Sequence, residues 1–234
     1  GIDATLVLSF DADLASWSPD VFVERVLKHA LGAEFLLMGF DSAFGKGREG
    51  DYDYLEARRD EFGIDVRRAG TELRGGERVS STLIRELIQA GSLDRAKELL
   101  GRDVSLLGKV VRGDERGRTI GFPTANLDIG DAAVLPRGVY FAEVDVLGGP
   151  NSHLPAVVNI GRAPTFRGGD EASERFDPTR DRVEVHILDF SGDLYGKTLE
   201  VSLSERHRVE RQFSSVDELT AQIQRDVEAR RDRL

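Results

Sequence analysis

Residues 182–188 read Arg182-Val183-Glu184-Val185-His186-Ile187-Leu188. Val183, Val185 and Ile187 fall on one side of an extended chain, and Glu184 and His186 fall on the other. Strict alternation of this kind has the two-residue period of a strand with one covered face, and a helix of period 3.6 would scatter it. The same texture recurs on either side. Residues 104–112, 139–147, 154–160 and 199–205 are apolar or alternating, with Gly-, Pro-, Asn- and Asp-rich joins between them. Five strand-like runs with no helical periodicity between them predict a small antiparallel β-barrel. Ser215-Val216-Asp217-Glu218 then forms a capping-box pattern, and Val216, Leu219, Ile223 and Val227 follow on one helical face. The barrel is therefore expected to end in a C-terminal α-helix.

Ahead of residue 103 the pattern changes. Residues 5–10 (TLVLSF) read as a buried strand, and residues 35–40 (FLLMGF) read as a strand covered on both faces. Between them, Ser18-Pro19-Asp20 opens a helix whose apolar side is Val23, Val26, Leu27, Ala30 and Leu31, closed by Gly32. A more polar helix over 52–62, a strand over 64–68, and short helices over 82–90 and 93–100 complete this half. Alternating strands and helices predict an α/β lobe with a parallel sheet over residues 1–102, followed by the barrel and its helix over 103–234.

Composition narrows the function. The 234 residues carry 32 Lys and Arg against 42 Asp and Glu, a formal charge of −10. An acidic balance disfavours non-specific nucleic-acid or membrane-surface binding, which draws on basic faces. The absence of Cys removes disulfides, thiolate zinc sites and Cys nucleophiles, and fits a reducing compartment such as the cytoplasm. No apolar run approaches the ~20 residues of a membrane-spanning helix. Residue 1 is Gly, close to an apolar run, which fits a piece of a longer chain.

Two motif matches fail on context. Residues 45–50 (GKGREG) match GxGxxG, but residues 41–44 separate them from the preceding strand, and Lys, Arg and Glu crowd the turn. Gly196-Lys197-Thr198 resembles the end of a phosphate-binding loop, yet Ser191 stands where its first Gly belongs and a strand pattern follows. The four histidines (29, 153, 186 and 207) show no metal-ligand spacing.

Chemistry concentrates in residues 108–127, GKVVRGDERGRTIGFPTANL. A strand runs into a basic loop containing Gly113, Arg116, Gly117, Arg118 and Gly121, which suits backbone approach to a polyphosphate. Thr124 and Asn126, two residues apart after a Pro, offer two hard oxygens to one side of an extended segment, which suits Mg²⁺ with phosphates and water completing its shell. The competing reading is an ordinary β-loop with hairpin glycines. Glu184 is, on residue type alone, more often a solvated strand carboxylate than a functional one.

The motifs taken together resemble the riboflavin kinase family. The 108–127 block is followed in order by Gly138-Val139-Tyr140, Asn159-Ile160-Gly161, Pro164-Thr165-Phe166, Val183-Glu184-Val185-His186, Asp193-Leu194-Tyr195-Gly196 and Arg208-Val209-Glu210-Arg211-Gln212-Phe213. The resemblance implies ATP-dependent phosphorylation of the riboflavin 5′-hydroxyl. It places Mg²⁺ on Thr124 and Asn126, and ATP under a flap with Gly113, Gly117, Arg118, Gly121 and Thr124. It makes Glu184 the general base and sets Arg208 at the flavin and phosphate site. Arg162-Ala163 departs from the commoner Thr-Asn of the family.

The first hundred residues resemble the later part of the FMN adenylyltransferase domain of the bacterial bifunctional enzymes that make FMN and then FAD. Gly39-Phe40-Asp41 with Phe44-Gly45 is similar to the GxDFxFG motif, with Ser42 in place of Phe. Val79-Ser80-Ser81-Thr82-Leu83-Ile84-Arg85 is similar to the nucleotide-binding (I/V)SSTxIR motif, which implies nucleotide contacts for Ser81, Thr82 and Arg85. No HxGH tetrapeptide occurs. These readings imply either part of a longer enzyme or an inactive first lobe. They also imply small-molecule substrates (riboflavin, ATP and FMN) and no nucleic acid or membrane partner. The rival readings are a non-catalytic flavin-binding module, and a flavin-dependent reductase that needs a real GxGxxG fingerprint.

Overall fold

The computed structural model describes residues 2–113, 116–130, 135–162 and 181–234. It contains two compact units, Gly1–Arg78 and Val79–Leu234.

In the first unit, α1 (Ala12–Ser16) and α2 (Pro19–Phe22) lead into a π-helical stretch over Val23–Ala30. Ser18 caps α2 through the Val21 N–H, with Pro19 at the first helical position. The expected α-helix instead winds wider, with the Leu31 N–H reaching the Val26 carbonyl at 3.0 Å, while Val23, Val26 and Leu27 still face inward. β1 (Phe35–Met38) pairs in parallel with β2 (Asp65–Arg68), joined by α3 (Tyr52–Ala57) and α4 (Arg59–Phe62). A small hairpin, β3 (Leu73–Arg74) with β4 (Glu77–Arg78), closes the unit.

Two expectations fail here. Residues 5–10 form no strand, and Val7 and Phe10 are 85% and 83% exposed. Apolar sequence alone does not make a strand, whose backbone groups need a hydrogen-bonding neighbour; β1 pairs with β2. Nor is β1 covered on both faces: Met38 is buried while Phe35 and Leu37 are open.

The GKGREG segment is a folded loop. Phe44 and Gly50 pair across it, and a β-carbon on Gly50 would stand 2.7 Å from the Phe44 ring. Residues 39–44 separate it from β1, and it makes its own turn over Lys46–Arg48 before α3. It is not the direct strand-to-helix turn, so the dinucleotide fingerprint, and with it the reductase reading, loses its structural basis.

The second unit begins with α5 (Ser81–Gln89) and α6 (Leu93–Leu100). Leu93 and Ala96 are buried in the same core as the barrel interior, with Leu87, Ile88 and Leu100 against it. Residues 79–102, assigned by sequence texture to the first lobe, thus pack with the barrel. The strands are β5 (Val104–Val111), β6 (Ala125–Asp128), β7 (Gly138–Val146), β8 (Leu154–Arg162), β9 (Asp181–Ile187) and β10 (Thr198–Arg208). They close an antiparallel barrel in the order β10-β5-β6-β9-β8-β7. A one-turn helix, α7 (Arg116–Thr119), and the C-terminal α8 (Val216–Arg231) complete the unit.

The predicted alternation is what fills the barrel. Tyr140, Ala142, Val144, Val158, Ile160, Val183, Val185, Leu199 and Val201 are essentially inaccessible. Each fully buried Val or Leu contributes about 1.5–3 kcal/mol relative to an exposed one. Enclosure also pushes the Tyr140 hydroxyl up to about 12. Outside the wall, α8 covers Val139, Phe141, Val157 and Leu188 with Val227 and Ile223. Its cap forms with one change. Ser215 accepts from the Glu218 N–H at 3.1 Å as expected, while Glu218 reaches back to the backbone and hydroxyl of Ser214 at 3.0 and 2.9 Å. Gly196-Lys197-Thr198 is a turn entering β10, in keeping with its rejection as a phosphate loop.

Candidate active site

The outer face of the barrel carries one continuous row of cross-strand neighbours. Arg208 of β10 is opposite Val139 of β7, Val139 is opposite Asn159 of β8, and Asn159 is opposite Glu184 of β9. Glu184 is in turn opposite Asn126 of β6, and Asn126 is opposite Val111 of β5. The residues before and after them, Val158, Ile160, Val183 and Val185, point into the core. Strand parity therefore puts Asn159, Glu184 and Asn126 together on the outside, each half-buried.

Directly opposed residues sit about 4.5–5.5 Å apart at their α-carbons. Glu184 thus lies between two carboxamides, Asn126 on one side and Asn159 on the other. Arg208 stands three strands away, roughly 14 Å of sheet at about 4.8 Å per strand.

Thr124 and Asn126 owe their positions to glycines facing them. A β-carbon on Gly113 would lie 2.2 Å from Asn126 Nδ2 and 2.4 Å from its Cγ. One on Gly117 would lie 2.3 Å from the Phe122 carbonyl oxygen and 3.2 Å from Thr124 Oγ1. These two glycines let the loop fold tightly onto the PTAN segment. The Asn126 side chain stands on that side of Gly113, and the Phe122 carbonyl and Thr124 hydroxyl stand on that side of Gly117. The Phe122 N–H donates to the Gly117 carbonyl at 2.8 Å, so α7 folds back on the same segment. Gly121 takes φ +88°, which favours glycine, and Arg118 is exposed on the turn.

From the other side, His186 Nδ1 is 2.8 Å from the Pro123 carbonyl oxygen and donates to it. Its ring meets Phe122 edge-on, with centroids 5.6 Å apart. β6 and β9 share only two paired positions, Ala125 with Val185 and Asn126 with Glu184. The His186 contact extends that short seam by one link and fixes the chain immediately before Thr124.

The donor set fits Mg²⁺. Thr124 and Asn126 supply neutral, hard oxygens from alternate residues of one extended segment, and Mg²⁺ characteristically takes few protein ligands and keeps phosphate oxygens and water. Among the described residues no group of three or more His, Cys, Asp or Glu is placed to hold a metal by itself.

Arg208 is held from beneath. Its Nε and Nη2 donate to Asp226 of α8 at 3.1 and 2.8 Å, and Asp226 is only 2% exposed. Neither Asp226 nor Asn159 emerges as a site residue from the sequence reading. A carboxylate at the inward spacing of an amphipathic helix, three after Ile223 and one before Val227, was the available signal for Asp226.

Ser81, Thr82 and Arg85 are exposed on the first turns of α5, which Ser80 caps through the Leu83 N–H at 3.2 Å. They do not belong to the Arg208–Asn126 row. The Pro164-Thr165-Phe166 motif lies outside the described residues. No helix among the described residues is long and apolar enough to cross a membrane.

Comparison with known proteins gives one family match to each half of the sequence. A family model described as riboflavin kinase matches residues 100–234, and one described as FAD synthetase matches residues 1–83. The bifunctional riboflavin kinase/FMN adenylyltransferase of Escherichia coli K12 is 41% identical over 226 residues, covering 97% of this chain and 68% of that protein. Its namesake in Bacillus subtilis is 33% identical over 228 residues, with the same 97% and 68% coverage. Among solved structures, a macrolide-efflux protein from Streptococcus pneumoniae aligns with a TM-score of 0.68 and 33% identity, covering 95% of this chain and 67% of that one. The motif order on the barrel and these matches give one answer: the chain belongs to the bifunctional riboflavin kinase/FMN adenylyltransferase family.

Proposed function

We propose that the second unit transfers the γ-phosphoryl group of ATP to the ribityl 5′-hydroxyl of riboflavin, giving FMN and ADP. The observation that carries this reading is the direct pairing of Glu184 with Asn126 across β9 and β6. It sets a carboxylate beside a hard-oxygen donor, which is the juxtaposition that hydroxyl attack on a phosphoryl group needs. The riboflavin kinase family match over the barrel agrees with it.

In this mechanism Glu184 accepts the 5′-hydroxyl proton as the oxygen attacks phosphorus and the bond to ADP breaks. The transition state of phosphoryl transfer is loose, so orientation and charge neutralisation outweigh the strength of the base. Thr124 and Asn126 would hold Mg²⁺, which when bound offsets the negative charge of the ATP phosphates. Gly113, Gly117 and Gly121 shape the flap, Arg118 adds positive charge on it, and Arg208 orients the flavin side. Asn159, beside Glu184, is placed to hydrogen-bond the carboxylate or the incoming hydroxyl.

The test is direct. Purified chain is incubated with riboflavin, ATP and Mg²⁺, and riboflavin, FMN and FAD are separated by chromatography. FMN is the expected product. FAD is scored separately, because the first unit carries the adenylyltransferase resemblance without an HxGH motif. Riboflavin bound but never phosphorylated would refute the kinase and favour a binding module.

A further inference from the structure

Arg208 is the last residue of β10, and it does not project freely. Its Nε lies 3.1 Å from both carboxylate oxygens of Asp226, its Nη2 lies 2.8 Å from Oδ2, and its Nη1 donates to the Val209 carbonyl at 3.1 Å. A guanidinium has five N–H donors. Among the described residues three are used, and two remain for a ligand.

Asp226 is in turn fully engaged. Gln222, one turn earlier on α8, donates to Oδ1 at 2.7 Å, and His207 Nε2 lies 3.3 Å from the same oxygen. The His207 ring stacks on Phe141 at 4.5 Å, so the cluster is keyed to the wall of the barrel beneath α8. A carboxylate this buried, with its acceptor sites filled and its neighbour Val227 packed on the wall, has no freedom to follow a mobile arginine. The fork–fork geometry fixes the plane of the guanidinium as well as its position.

We infer that Asp226 is a positioning residue: from the C-terminal helix it locks the plane and direction of Arg208, so that the two remaining N–H groups meet the flavin substrate. The inference rests on the kinase reading and on the place of Arg208 within it. It makes α8 part of the substrate site, in addition to its role as a cover over Phe141 and Val157.

The test separates positioning from simple stabilisation. Asp226→Asn keeps shape and volume but turns one Arg-facing acceptor into a donor. Steady-state FMN formation is measured against riboflavin at saturating ATP, and against ATP at saturating riboflavin, well below the melting midpoint of the variant. Expected is a rise of about 10–100-fold in the KM for riboflavin, in the range of one lost charge-assisted hydrogen-bond pair, with the KM for ATP within twofold. In an Arg208→Gln background the same Asp226→Asn change should add less than about twofold, since it acts through Arg208. A riboflavin KM unchanged in the folded single variant, or a full additional penalty without Arg208, overturns the inference. Should Asp226→Asn fail to fold, Gln222→Met carries the same comparison. It removes one donor from Asp226 at a half-buried helical position and should raise the riboflavin KM several-fold only when Arg208 is present. Absence of FMN from the wild-type chain would instead defeat the kinase reading itself.

Discussion

Gly113→Ala isolates the geometry of the PTAN segment in one atom. Gly113 does not need a positive φ, so alanine brings no backbone strain, and its β-carbon would stand 2.2 Å from Asn126 Nδ2 and 2.7 Å from Oδ1. Ordinary contact at such a carbon begins at 3.4 Å, so the carboxamide must rotate or retreat by about 1.2 Å. Mg²⁺ accepts oxygen only near 2.0–2.1 Å, and a ligand displaced by half that distance is lost. Outer-sphere changes alone cost about 10–100-fold in metal affinity, so displacement of a ligand should cost at least as much, or about 1.4–2.7 kcal/mol. The assay is FMN formation titrated with Mg²⁺ at fixed ATP, alongside riboflavin binding followed by flavin fluorescence. The half-saturating Mg²⁺ concentration should move up at least tenfold while riboflavin affinity holds within about threefold. An unmoved Mg²⁺ titration in a folded variant would show that Asn126 does not ligate the ion, and the reading of Thr124 and Asn126 would fall with it.

Three further outcomes follow from the same geometry. Glu184→Gln should lower kcat by about 10²–10⁴ with little change in ATP affinity, and a near wild-type kcat would remove Glu184 from the base role. His186→Phe keeps the contact with Phe122 but removes the donor to Pro123; a smaller Mg²⁺ shift than Gly113→Ala is expected, and none would mean the seam needs no such tie. The two Ser214 hydrogen bonds, with Arg211 nearby, hold the Glu218 carboxyl below its ordinary value of 4.5, so its contribution is present above that pH and is lost as pH falls through the lowered value. Glu218→Gln should therefore lower the thermal midpoint near neutrality, with the difference closing in acid, and a gap constant across pH would refute the cap as its source.

The barrel was legible because its strands obey parity. Val183, Val185 and Ile187 announce an inner face from sequence alone, and all three are buried. β6 was not legible. Ala125–Asp128 contains Asn and Asp and follows a Pro, and its extended form comes from pairing with β5 and β9. α7 carries no sequence signal either: RGRT has no helical signature, and the turn is closed locally by the Phe122 N–H on the Gly117 carbonyl. Residues 5–10 failed in the opposite direction, with strand-like sequence and no strand. At the site, motif resemblance supplied residue types, but only the register puts Arg208, Asn159, Glu184 and Asn126 in one row. Asp226 reads as one more acid on a charged helix until Arg208 is seen above it.

The parity of β9 has a consequence for how such a chain can change over time. Its inward residues answer to packing and its outward residues to chemistry, so point substitutions can explore one set while leaving the other intact. Deleting or inserting a single residue denies that independence. A slip of one position would turn Glu184 into the hydrocarbon interior and Val183 and Val185 out to water together, costing activity and stability at one stroke. Lineages descended from this barrel are free to vary its letters but are held to the length of this strand, and alignments of its relatives should show gaps gathering in the connections and stopping at its ends.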